Sequence, residues 1–168
     1  MKYLQIIGHG LGFLALVLGY VSYQAKSRKG ILLWQTATNA VFVVHYLLIG
    51  APSACILNLL NIIRNLIYYG KGKQGKVPMV FPAVFSILAV LFGIATWEGP
   101  HSLLVTAGIA INSICISLNN VQSIRKSILL TSSLVFLYDV FVFSVGGMIY
   151  ELVAIGSSLI GLWRYRKA

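Results

Sequence analysis

The hydrophobic positions of this 168-residue chain fall into seven long apolar stretches separated by short polar segments. A helix needs roughly 20 apolar residues, with about 17 as a lower limit, to cross the hydrocarbon of a bilayer. The third stretch and the last two are short but adequate. The pattern therefore predicts seven transmembrane helices, at 4–23, 31–49, 53–69, 78–97, 102–121, 128–145 and 148–163.

The composition indicates the same class of protein. Hydrophobic residues make up 58% of the chain and charged residues 10%, with a mean hydropathy of +0.87, whereas soluble domains carry roughly a quarter charged residues. We therefore expect an all-α integral membrane protein whose partners are membrane lipid and a small-molecule substrate. The net charge of +10 does not indicate a nucleic-acid partner, because the Lys and Arg residues occur in short clusters between apolar runs.

The basic residues alternate from one loop to the next. Clusters of Lys and Arg follow the first, third, fifth and seventh stretches, whereas the segments 50–53, 97–102 and 144–148 contain neither residue. Because basic loops stay in the cytoplasm, the pattern predicts an N-terminus outside and a C-terminus inside. Arg64, near the cytoplasmic end of the third stretch, is expected to extend its long side chain to the lipid headgroups.

A short motif occurs twice. SRKGILLW at 27–34 returns as IRKSILLT at 124–131, which places the first three predicted helices over the last three and leaves the fourth as a linker. Two three-helix units of the same orientation need such a reversing helix between them. The repeat predicts a 3+1+3 arrangement: a first triple-helix bundle at 1–70, a basic loop and linker helix at 71–101, and a second triple-helix bundle at 102–168.

Parallel triple-helix repeats joined by an inversion-linker helix resemble the SWEET, PQ-loop and PnuC group of small transporters. More closely, four segments resemble the YgjV-type bacterial inner-membrane proteins: GFLALVLGYVSYQ (12–24), HYLLIGAPSACILNLLNIIRN (45–65), SVGGMIYE (144–151) and LWRYRK (162–167). The resemblance spans most of the chain and implies a multi-pass protein of the bacterial inner (plasma) membrane. It also implies a carrier that moves a small polar solute by alternating access.

The chain departs from the SWEET pattern at two places. SWEET-type proteins usually have Pro-Gln where the first helix meets its loop, but this chain has Tyr23-Gln24. Their seventh helix carries an Asn, and this one offers Glu151, Ser157 and Ser158 instead. The substrate class therefore stays open among a sugar, a nucleoside and a vitamin-like compound.

Two of the three acidic residues lie inside predicted spans. Asp139 and Glu151 are both expected roughly 6 to 10 Å below the same external turn. Ionisable groups at such positions usually face the interior of a bundle or a water-filled cavity. If the two carboxyl groups face each other, they favour a shared proton or a bound cation, which would couple transport to protons. Alternatively, Asp139 bonds a nearby hydroxyl group and Glu151 lines the aqueous mouth.

Other polar and aromatic residues extend the predicted substrate site. Asn58 and Asn61 are spaced i, i+3 and share a helix face, and His45 lies near the depth of Asp139. Amides also join membrane helices without binding any ligand, so structural roles remain open. The remaining expected contributors are a serine of the seventh helix, a tyrosine that packs against a planar ligand and a tryptophan at a cytoplasmic gate: Ser158, Tyr138 and Trp34.

Enzyme chemistry has no support in the sequence, which lacks a phosphate-binding loop and a nucleophile motif. Cys55 and Cys115 have no companion ligands at metal spacing, so we expect neither a metal nor a cofactor. Gly8 and Gly12 form a GxxxG face that favours close packing of the first helix and is compatible with a homo-oligomer. Two functions remain: a carrier for a small polar solute, or a non-transporting structural or regulatory membrane protein.

Overall fold

The computed structural model describes residues 2–25, 27–71, 77–118 and 121–164. These residues form seven α-helices and no β-strand, as the all-α prediction requires. The helices are α1 (Lys2–Gln24), α2 (Arg28–Ile49), α3 (Pro52–Lys71), α4 (Val80–Ala95), α5 (Ser102–Cys115), α6 (Val121–Phe141) and α7 (Val145–Arg164).

The boundary between α5 and α6 differs from the prediction. α5 ends at Cys115 instead of 121, and α6 begins at Val121 instead of 128. The prediction was wrong because it used the charges of Arg125 and Lys126 to mark a loop. Both residues lie within α6, whose first turns pack inward through the buried Ile124 and Ile128.

The turn before α7 also differs from the prediction, which began the seventh helix at 148 and so left Gly146 and Gly147 in the preceding turn. The chain instead reverses at Phe143, three residues before Gly146. The φ of Phe143 is 53°, which lies in the left-handed region. The two glycines belong to the first turn of α7. Neither position has room for a side chain. A Cβ atom on Gly147 would collide with the side chains of Asp139 and Ser144, and one on Gly146 would collide with the backbone of Gly12.

Hydrogen bonds bring alternate helix ends together at one end of the bundle, which we call the Glu98 end. Glu98 Oε1 accepts from the backbone N–H of Ser53 at the start of α3, at 2.7 Å. Its Oε2 accepts from the hydroxyl of Tyr138 near the end of α6, at 2.9 Å. His45, near the end of α2, contacts the carbonyl of Gly8 in the first turns of α1. The beginnings of α1 and α3 and the ends of α2 and α6 therefore lie together at this end of the bundle.

The opposite end of the bundle, called here the Arg28 end, shows the complementary pairing. Arg28 at the start of α2 donates to the carbonyl of Ile116, just after α5, at 3.3 Å. The Tyr68 hydroxyl, near the end of α3, donates to the carbonyl of Ser113 at 3.0 Å. Successive helices are therefore antiparallel, and α1, α3, α5 and α7 all run from the Glu98 end to the Arg28 end.

Six of the helices close into a ring. Packing contacts connect them in the order α1, α2, α3, α5, α6, α7, and α7 returns to α1. α4 packs beside this ring against α3 and α5. The ring encloses a space to which both halves of the chain contribute.

The exterior of the bundle is apolar, and its interior holds polar side chains. Leu47, Val80 and Leu103 are among many large apolar side chains that are more than half exposed, whereas Arg64 and Asp139 are buried. This distribution is typical of a protein that a bilayer surrounds. By length and composition α2 and α7 can each cross a membrane, whereas α4 and α5 are shorter apolar helices.

Small residues bring α1 close to its neighbours. A Cβ atom on Gly12 would lie 2.7 Å from the Cα of Gly146 in α7, and one on Gly8 would lie 3.1 Å from the side chain of Ile49 in α2. Gly19 likewise leaves no room for a side chain beside the ring of Tyr150. The predicted close packing of the first helix through Gly8 and Gly12 is confirmed.

We expect Gly12→Ala to lower the free energy of unfolding by about 1 to 3 kcal/mol, because the added methyl group overpacks against the backbone of Gly146. Gly10→Ala is the matched control, since a Cβ atom there meets nothing within 4 Å. That control gains helix propensity of up to about 1 kcal/mol. Chemical unfolding of both variants in detergent micelles measures the difference, and equal stabilities would contradict the close contact between α1 and α7.

Candidate functional site

A polar cavity of about 80 Å³ lies inside the ring of helices. Its walls come from α2, α3, α5, α6 and α7, so both halves of the chain contribute. One water molecule needs roughly 10 to 15 Å³ of such space, so the cavity has room for several waters or one small solute. It is the candidate functional site.

The wall formed by α3 carries three polar side chains at helical spacing: Asn58, Asn61 and Arg64. The Asn58 amide donates to the carbonyl of Ala54 at 2.8 Å, one turn earlier, which fixes its orientation. Asn61 is buried, and its Oδ1 has no hydrogen-bond partner in the described part of the chain. Asn61 therefore lies at the cavity wall with a buried acceptor that no described residue satisfies.

Arg64 does not reach the lipid headgroups, and the sequence-based expectation for it was wrong. Its side chain is 2% exposed and lines the cavity. The guanidinium group donates from Nη1 to Ser113 Oγ of α5 at 3.0 Å, and from Nε and Nη2 to Asn65 Oδ1 at 3.2 and 3.0 Å. The side chain turns inward because these two neutral oxygens accept hydrogen bonds from it inside the bundle.

The opposite wall brings an acid into the same cavity. Glu151 of α7 is buried, lines the cavity and forms a hydrogen bond with Ser132 of α6. Gln35 and Asn39 of α2 complete the polar lining on a third side. The site therefore combines one guanidinium group, one carboxyl group and several amides within an apolar protein.

Three of the predicted site residues, Asn58, Asn61 and Glu151, meet at this cavity. The structure does not bring the other five to its wall: His45, Asp139, Ser158, Tyr138 and Trp34. That any of the eight contacts a solute stays a prediction. The structure shows that three of them line the cavity and that five lie elsewhere.

His45 and Asp139 join helices near the Glu98 end. His45 Nδ1 donates to the carbonyl of Gly8 at 2.6 Å, and Nε2 lies 2.8 Å from the hydroxyl oxygen of Ser144. Asp139 Oδ1 accepts from the hydroxyl of Tyr46 at 2.7 Å. Both side chains are completely buried. Their geometry matches the alternative that Asp139 bonds a nearby hydroxyl group.

The remaining three predicted residues have separate surroundings. Tyr138 donates to Glu98 and belongs to the polar contacts of the Glu98 end. Ser158 is buried in α7, and its hydroxyl has no partner among the described residues. Trp34 lies on α2 with 38% of its surface exposed.

Sequence reasoning missed several residues of the lining, including Gln35, Asn39, Asn112 and Thr131. A usable signal was present, because amides recur at helical spacing within apolar stretches. Gln35 and Asn39 are four positions apart, and Phe42 and Tyr46 continue the same face of α2 into the cavity. Arg64 likewise lies three residues after Asn61 and continues the face of α3 that carries Asn58 and Asn61.

Comparison with known protein families identifies the family to which the chain belongs. The family model Imp-YgjV, described as a bacterial inner membrane protein, matches residues 6–168. The match covers almost the whole chain, so the chain belongs to this family, and the YgjV-type resemblance and the inner-membrane location are confirmed. The comparisons with curated proteins and with solved structures each find no match. The relation to SWEET and PQ-loop transporters stays a prediction.

We expect Tyr46→Phe to lower the free energy of unfolding by about 1 to 3 kcal/mol, because it leaves the buried carboxyl group of Asp139 without its hydroxyl donor. Tyr20→Phe is the control, since half of the Tyr20 side chain is exposed on the outside of α1. Denaturant midpoints of the two variants in detergent measure the effect. The same midpoint for both would mean that the bond between Tyr46 and Asp139 does not stabilise the fold.

Proposed function

We propose that this inner-membrane protein is a carrier, not an enzyme, and that it moves a small polar solute such as a sugar, a nucleoside or a vitamin-like compound. One observation supports this proposal above the others: a polar cavity lies at the centre of a ring of helices whose outer surface is apolar. Transporter sites typically lie between two repeats near the middle of the bilayer. The cavity has walls from both halves of the chain, as that arrangement requires.

The order of the ring supports the proposed 3+1+3 repeat of seven transmembrane helices. If α1, α2 and α3 exchange places with α5, α6 and α7, every neighbour contact of the ring maps onto another neighbour contact. Gln35 directly follows the first copy of the repeated motif and Ser132 directly follows the second, and both residues line the cavity. Asn58 and Glu151 each lie six residues after the first residue of their helix. These correspondences favour two related halves with α4 as the linker.

The distribution of charge supports an orientation with the Glu98 end in the periplasm. Apart from Lys2, the described basic residues outside the cavity belong to helix ends at the Arg28 end: Arg28, Lys29, Lys71, Arg125, Lys126 and Arg164. All three acids lie elsewhere, at the Glu98 end or at the cavity. Basic segments remain in the cytoplasm, so the Arg28 end is the proposed cytoplasmic end.

The proposed cycle rocks the two halves around the cavity. At the Glu98 end, polar contacts cross between the two triple-helix bundles: His45 with Ser144, and Tyr46 with Asp139. Glu98 of the linker segment bridges the same bundles, because it accepts from both Ser53 and Tyr138. Opening of this end would break them, so they are the proposed periplasmic gate. Transport proceeds by facilitated exchange or by coupling to protons through Glu151 and Asp139.

The second candidate function is a structural or regulatory membrane protein that does not transport. The same polar contacts at the Glu98 end support it, because hydrogen bonds between membrane helices often serve only adhesion. The cavity residues distinguish the two functions. Asn61, whose buried acceptor no described residue satisfies, contributes no contact between helices through that atom.

Transport is tested by reconstitution into liposomes with labelled sugars, nucleosides and amino acids. For the solute that the parent protein moves, we expect Asn58→Ala and Glu151→Gln to reduce flux at least about tenfold, because each removes a polar group of the cavity. Leu59→Ala, next to Asn58 but exposed on the outer face of α3, is the matched control and should retain flux. Absence of flux for every solute would support the non-transporting function.

The orientation is tested by labelling introduced cysteines with an impermeant maleimide in spheroplasts. In a protein without Cys55 and Cys115, we expect Pro100→Cys at the Glu98 end to be labelled in intact spheroplasts. Lys126→Cys at the Arg28 end should be labelled only after permeabilisation. Both positions are exposed in the structure. Labelling of both variants from the same side would contradict the proposed topology.

A further inference from the structure

A guanidinium group and a carboxyl group line the cavity without pairing with each other. Arg64 and Glu151 both belong to its wall, yet no ion pair between them occurs within 4.0 Å in the described structure, which contains all three acids of the chain. A buried charge in an apolar protein is costly unless an opposite charge compensates it. The Arg64 guanidinium group therefore has no counter-charge in the cavity, and the Glu151 carboxyl group has no cationic partner there.

The guanidinium group of Arg64 has donors to spare. It has five N–H groups, and its bonds to Ser113 and Asn65 engage three of them. Both partners are neutral, so they orient the group without neutralising it. A planar guanidinium fork held in this way matches the two oxygens of a carboxylate.

Arg64 and Glu151 reach the cavity from different depths. Arg64 lies 12 residues after Pro52 in α3 and Glu151 lies six residues after Val145 in α7, so at about 1.5 Å per residue their backbones are about 18 and about 9 Å from the Glu98 end. The neighbours of their polar groups lie between these depths: Ser113 is 11 positions after Ser102, and Ser132 is 9 positions before Phe141, about 16 and about 14 Å from the same end. The two side chains therefore converge on the middle part of a hydrocarbon core about 30 Å thick.

The chemistry of the lining restricts the ligand. A neutral sugar would supply no counter-charge to Arg64, and a simple anion would bring no cationic partner to the carboxyl group of Glu151. A molecule with a carboxylate and an ammonium group supplies both partners, and the amides of Asn58, Asn61 and Asn39 can hydrogen-bond the rest of it. The volume of about 80 Å³ requires a small ligand.

We propose that the cavity binds a small zwitterion of amino-acid type, with its carboxylate on Arg64 and its ammonium group on Glu151. This assignment of a substrate class rests on the proposed carrier function. It identifies Arg64 and Glu151 as the residues that determine specificity. Neither the family description nor the repeat assigns such a role to them.

Binding is tested separately from transport. The purified protein in lipid nanodiscs is screened with the twenty tritiated proteinogenic amino acids in a scintillation proximity assay. For the tightest binder, we expect the amide, which lacks the carboxylate, and the N-acetyl derivative, which lacks the ammonium group, to compete about ten- to a hundredfold more weakly.

Two variants assign the charges to their residues. Arg64→Gln should weaken binding about ten- to a hundredfold and remove the preference for the acid over the amide, whereas Arg64→Lys should retain part of that preference. Glu151→Gln should remove the preference for the free amine over the N-acetyl derivative. Lys126→Gln, an exposed change of the same kind at the Arg28 end, should leave both preferences intact. A purely structural role of Arg64 would not change which derivative competes.

The outcomes separate this proposal from the carrier function. Failure of all twenty amino acids to bind, or equal competition by the amino acid and both derivatives, would overturn the zwitterion site. Flux of a sugar or nucleoside that Arg64→Gln leaves unchanged would also overturn it while the carrier function stands. Binding of an amino acid with the expected preferences, but without flux in liposomes, would support the site and contradict the carrier.

Discussion

The structure depends on the cost of placing a polar group in hydrocarbon. No water is available there, so each polar side chain must find its partner inside the protein. In this chain the outer surface is accordingly apolar, and polar side chains such as Arg64, Asn65 and Asp139 turn inward. Their inward orientation gives the ring of six helices a polar centre, from which the candidate site is built.

The inward-facing polar residues divide into two groups with different consequences. Those at the Glu98 end, such as His45 and Tyr138, bond each other or the backbone and hold helices together. Those at the middle, such as Asn61 and Glu151, face a cavity. None of the described side chains of α1 belongs to the cavity lining, and Gly12 and Gly19 let this helix approach α7 closely. Its counterpart in the proposed repeat, α5, presents Asn112 to the cavity. Packing thus makes the site asymmetric although the order of helices around the ring is symmetric.

The proposed carrier and the proposed zwitterion site give these two groups complementary roles. In this view the contacts at the Glu98 end close one access path, and the cavity holds the solute between Arg64 and Glu151. The guanidinium group of α3 and the carboxyl group of α7, helices that are equivalent in the proposed repeat, would both have a charged partner only when a ligand is present. Binding would then be linked to the approach of the two halves, since both groups must reach the same molecule.

The sequence by itself determined the all-α class, the seven helical segments, the inner-membrane family and the close packing at Gly8 and Gly12. These features follow from local composition, apolar run length and short motifs, each of which can be read without knowing any partner. Only the tertiary structure decided that Asn58, Asn61 and Glu151 share a cavity, that Asp139 and His45 bond other helices, and that Arg64 points inward. The spacing of polar residues within a helix restricts the rotation of that helix about its axis, but the final rotation depends on contacts between distant positions, such as Gly12 with Gly146.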